Sequence, residues 1–193
     1  MASAFAAAAT LAAAALVPFG AGERGTDIAL KATARLSFLL FWLAYAGGCL
    51  AALVGPALQP LKRHGRDFGL AFYSAHLIHI ALVVWLCWIG AAPDAGVFRF
   101  FVPPLVFVYI LALFSIRRLQ QALGRIGWWL LRTFAMTYIA YAFAADFRPH
   151  PLGGTMHIFG YLPFAVLSIA GPILYFAALL PSVLDGRRKR PLV

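Results

Sequence analysis

Six apolar runs, at residues 3–19, 36–53, 68–89, 100–116, 126–145 and 158–180, dominate this chain. Each is about 17 to 23 residues long, and at 1.5 Å rise per residue a helix of that length crosses a hydrocarbon core about 30 Å thick. Inside lipid every backbone N–H and C=O must be satisfied within the segment, so runs of this length fold as helices. The breaks between them carry turn chemistry: Gly20 to Gly25, Gly55-Pro56, Pro60, Ala92-Pro93-Asp94 and Pro149 to Gly154. The pattern predicts an all-α membrane protein, a six-transmembrane-helix bundle forming one domain over residues 1–193, with a basic tail at 181–193.

Composition agrees with lipid as the solvent. The chain is 63% hydrophobic and 11% charged, whereas soluble domains run at about a quarter charged residues. Six spans of about 20 residues use roughly 120 positions, which leaves short loops only. A flavin- or nucleotide-binding domain would therefore be a separate polypeptide. The net charge of +10 is scattered over short loops with no aromatic–basic track, which argues against nucleic acid. Cys49 and Cys87 fall in apolar runs towards opposite leaflets, too far apart for a disulfide. The first run resembles a secretory signal, but Met1 to Leu16 contains no Lys or Arg, so an uncleaved first span is expected.

Charge asymmetry sets the expected orientation. One set of loops contains Lys62, Arg63, Arg66, Arg117, Arg118, Arg125, Arg187, Arg188, Lys189 and Arg190. The alternate set holds Arg24, Lys31, Arg35, Arg99 and Arg148. Short cytoplasmic loops collect Lys and Arg, so both termini are expected in the cytoplasm of a cell (inner) membrane protein. Trp85, Trp88, Trp128, Trp129, Tyr109 and Tyr161 fall near span ends, where amphipathic rings favour the headgroup region.

An ionisable side chain within a span is costly and is a functional candidate by default. Three qualify: His76, His79 and Arg132. Counting from Asp67, His76 lies about 13 Å deep and His79 about 18 Å deep, and a spacing of three residues puts both on one helix face. Neutral imidazoles there either ligate haem iron or hydrogen-bond to a neighbouring helix. Arg132 lies about 10 Å inside the fifth run, counting from Arg125. Its guanidinium either snorkels to the interface or pairs with an acidic group such as a haem propionate.

Arg66-x-x-Gly69-Leu70, a histidine ten residues after that glycine (His79), and Gly25-Thr26 followed by Ala29-Leu30 resemble the ferric-reductase-like transmembrane superfamily. Within it the likeness is greatest to the haem-binding membrane subunits of bacterial methionine sulfoxide reductase systems. The resemblance implies haem b held between histidines of the third and fifth spans, with His79 as iron ligand, His76 as alternative or second ligand, and Arg132 near a propionate. It implies an oxidoreductase electron-transfer subunit, fed by a cytoplasmic flavoprotein or a quinol and passing electrons to an outer-side partner.

The chain departs from that pattern in the fifth span. Trp128 matches the family's tryptophan, but Arg132 stands at the first histidine position and the second falls around Ala145–Asp146. The remaining candidate donors are Met136, at about the depth of His79, and His150 and His157 beside the loop between the fifth and sixth spans. The alternative is a family relative that has lost haem and acts as a membrane interaction or scaffold protein. A small transporter is disfavoured, because the chain has no inverted repeat or paired broken helices.

Overall fold

The computed structural model describes residues 1–147 and 155–184, and every regular element among them is helical. The helices are α1 (Ala2–Phe19), α2 (Glu23–Val54), the short α3 (Gln59–Arg63), α4 (Gly65–Trp88), α5 (Ala95–Phe114), α6 (Arg117–Phe147) and α7 (Thr155–Leu184). A 3-10 turn, Pro56–Leu58, joins α2 to α3. Gly20, Gly55 and Gly90 end α1, α2 and the turn after α4 with positive φ, and Gly124 kinks α6 in the same way at φ 65°. Four of the breaks are thus glycines in backbone that side-chain-bearing residues rarely adopt.

Five helices are long and apolar enough to cross a membrane: α1, α2, α4, α5 and the Gly160–Ala178 part of α7. The protein is therefore a multi-pass membrane protein with a lipid-facing exterior. α6 is not among the five. Beyond Gly124 it is long enough, but Arg125, Arg132 and Asp146 and its Trp, Tyr and Thr residues dilute its apolar character.

α2 is the central element, packed against α1, α3, α4 and α7. Gly25, Ala29, Thr33, Ser37, Phe41 and Tyr45 recur at every fourth position and are all buried, forming one face. Small residues on such a face let backbones approach closely where no water-driven collapse operates. At Gly25 the approach is closest, since a Cβ there would meet the Gly20 carbonyl oxygen. α1 answers with Ala8, Ala12 and Ala15, its buried residues. The wider half of the bundle is filled by rings: Phe38, Phe41, Tyr45, Phe72 and Phe147 with Met136, Ile139 and Leu111.

Cross-helix hydrogen bonds pin the arrangement. Trp42 Nε1 donates to the Leu167 carbonyl at 2.8 Å, tying α2 to α7. The Thr133 and Tyr175 hydroxyls meet at 2.8 Å between α6 and α7. Trp85 Nε1 donates to Ala21 O at 2.8 Å, fastening α4 to the turn between α1 and α2. Arg66 donates to Ser115 O at 3.0 Å, closing α4 onto the end of α5.

The run at 36–53 is the latter part of a longer helix. Lys31 and Arg35, counted above as loop residues, lie inside α2. Lys31 pairs with Asp27 one turn away, and the Arg35 guanidinium sits 5.2 Å from the Tyr161 ring centre and 5.8 Å from that of Phe164. A partner carboxylate and ring faces make these charges tolerable within a helix.

Candidate functional site

His76 and His79 project from α4 as the spacing requires, with their rings stacked 5.3 Å apart at 15°. The Phe72 ring lies 5.3 Å from the His76 ring, tilted by 34°. Facing them is the small-residue stripe of α2. Thr33 Oγ1 lies 3.2 Å from His79 Nδ1 and 2.9 Å from the Ala29 carbonyl oxygen. A hydroxyl has one proton, and a carbonyl can only accept. With the Thr33 proton given to the Ala29 carbonyl, His79 Nδ1–H is the donor to Thr33, and the Leu30 carbonyl lies beside the same ring. His79 Nε2 then carries the lone pair. His76 differs: its Nδ1 is buried without a hydrogen-bond partner, and so is Ser37 Oγ on α2.

His79 borders a cavity of about 310 Å³ that it shares with Asp27, Lys31, Arg35, Asp146 and Tyr161. Asp146, on α6 and at the family's second histidine position, thus comes to the same cavity as His79. Arg132 does not join them. It lines a second cavity of about 360 Å³ together with Lys62, Arg63 and Arg66, at the end of the bundle where α3 lies, and Met136 lies there with it. The three residues marked in the sequence are therefore divided between two places, two imidazoles in the α2–α4 seam and one guanidinium at the α3 end. His150 lies outside the described residues, as does the side chain of His157.

The donor set decides how far these residues fit a haem. A porphyrin gripped from both sides needs a second axial donor opposite His79, and proteins supply His, Met, Cys or Tyr for this. α6 brings Asp146 to the His79 cavity. Towards the α3 end, Phe72, about two turns from His79 on α4, and Phe143, about one turn from Asp146 on α6, approach to 6.3 Å between ring centres, and Phe41 of α2 touches both, at 5.5 and 5.4 Å. Aromatic rings occupy the space between α4 and α6. No α6 side chain at the His79 cavity belongs to that donor set, and among its described lining residues the set is represented by the His79 imidazole and the Tyr161 phenol of α7. Among the described residues no three His, Cys, Asp or Glu side chains converge as a metal site.

Compared with protein-family models, curated proteins and solved structures, the chain matches none. The stripe facing the histidines escaped the motif reading. Its signal is present, however, in the fourfold spacing of Gly25, Ala29, Thr33 and Ser37.

Proposed function

We propose that this chain is a haem-free membrane interaction or scaffold protein built on the ferric-reductase-like six-span plan. The observation that carries this reading is the meeting of His79 with Asp146 at one cavity, where the resemblance calls for two imidazoles. The histidines then serve as helix-to-helix hydrogen-bonding groups, of which the His79–Thr33 contact is the made example. In this reading α6 from Arg125 onward is the sixth span. The excess of Lys and Arg on the α3 side supports a cytoplasmic position for that end and for both termini, in the cell (inner) membrane.

One observation favours a second reading. With the Thr33 proton on the backbone carbonyl, His79 takes the tautomer that ligates iron, its Nδ1–H held by Thr33 and its Nε2 carrying the lone pair. The protein would then be a haem b electron-transfer subunit taking electrons from a cytoplasmic flavoprotein or quinol to an outer-side acceptor. The absorption spectrum of detergent-purified protein from haem-replete cells separates the two. A colourless preparation is expected. A Soret band with reducible α and β bands, lost in His79→Ala, overturns the haem-free proposal.

A further inference from the structure

The cavity at the α3 end is charged with one sign only. Lys62 and Arg63 from α3, Arg66 from the first turn of α4 and Arg132 from α6 all line it, and among the described residues no Asp or Glu does. Among the described residues the acidic side chains lie elsewhere. Glu23 lies in the first turn of α2, Asp94 flanks the start of α5 at the same end, Asp27 and Asp146 line the His79 cavity, and Asp67 pairs with His64 at 2.9 Å. Among the described residues, Arg132 has neither an ion-pair nor a hydrogen-bond partner.

A guanidinium on a membrane helix without a counter-charge is unfavourable. Four exposed cations lining one cavity make it a favourable place for an anion that comes from outside the chain. The rest of the lining says what kind. Trp128, Trp129 and Tyr73 stand beside the cations, while Leu111, Met136 and Ala44 supply an apolar wall. Guanidinium forks match phosphate oxygens in planar, bidentate fashion, and a wall of rings and aliphatic groups suits the apolar stem behind such a head.

The geometry points to this cavity as a binding site for a phosphate group carried by an amphiphile. The inference is independent of whether His79 holds haem, because the two cavities share no lining residue. A lipid headgroup and free phosphate are the two sources of the same chemistry. Arg132 is the anchoring residue, since among the described residues none takes a hydrogen bond from its donors.

The test is titration of the full chain in detergent, read by tryptophan fluorescence, with Trp128 and Trp129 in the lining as reporters. The probes are dioctanoyl phosphatidic acid, dioctanoyl phosphatidylcholine and inorganic phosphate. Saturable binding of phosphatidic acid is expected, with phosphatidylcholine and inorganic phosphate each at least tenfold weaker. Arg132→Gln weakens phosphatidic acid at least tenfold, Arg132→Lys recovers part of the loss, and Arg35→Gln at the other cavity leaves it unchanged. Inorganic phosphate binding as tightly as phosphatidic acid overturns the amphiphile and leaves the phosphate. Absence of saturable binding by either anion overturns the site, as does binding that Arg132→Gln does not alter while the variant keeps the parent's thermal unfolding.

Discussion

Thr33 and Ser37 are hydroxyl residues one turn apart on the same face of α2, each with 0% exposure, yet their energetic roles differ. Thr33 accepts from an imidazole and donates to the backbone, while Ser37 Oγ has no partner. Thr33→Val keeps the shape and removes the side-chain bond between α2 and His79, at a cost of about 1 kcal/mol for a lost hydrogen bond, while the Leu30 carbonyl stays beside the ring. Ser37→Ala removes a hydroxyl that bonds nothing and stays within about 0.5 kcal/mol of the parent. Thermal unfolding of both variants in one detergent tests the pair, and equal losses would refute the assigned network. The shared face of His76 and His79 is legible in their spacing of three. Their partner is not, because Thr33 lies 46 positions from His79 and a hydroxyl residue within a helix announces nothing by itself.

At the scale of the helix, α1 and α2 form a hairpin whose closeness depends on one missing side chain. A Cβ at Gly25 would overlap Gly20 O, whereas a Cβ at Gly48 of α2 meets nothing within 4 Å. Gly25→Val therefore forces the turn open at about 1–3 kcal/mol and increases proteolysis at Gly20–Gly22. Gly48→Ala is neutral or stabilises by up to about 1 kcal/mol through helix propensity. Limited proteolysis of the two proteins side by side reads the difference, and an unchanged turn in Gly25→Val would rule out the hairpin. The apolar runs that became α1, α2, α4, α5 and α7 were legible because length and hydropathy suffice to mark a lipid-crossing helix. The start of α2 was not. Lys31 and Arg35 look like loop charges until Asp27, Tyr161 and Phe164 are seen beside them.

Across the whole molecule, the expected count of crossings is six. Single cysteines in a Cys49→Ala, Cys87→Ala background, at Arg63→Cys and Arg187→Cys, should react only with reagent reaching the cytoplasmic face, and Asp94→Cys only from outside. A chain with five crossings would put residues 63 and 187 on opposite faces. The division of His79 and Arg132 between two cavities was beyond the reach of the sequence. Depth counted along one helix places a residue on an axis but does not say which neighbours surround it, and that was settled by the Phe41, Phe72 and Phe143 rings between α4 and α6.

The bend at Gly124 carries a consequence for how such a chain tolerates change. In an unbroken helix each inserted residue turns everything beyond it by about 100°, which would rotate Trp128, Arg132 and Met136 off their cavity. With the helical phase reset at Gly124, an insertion among residues 117–123 is absorbed upstream. The connector from α5 can thus drift in length over evolutionary time while the guanidinium of α6 keeps its bearing.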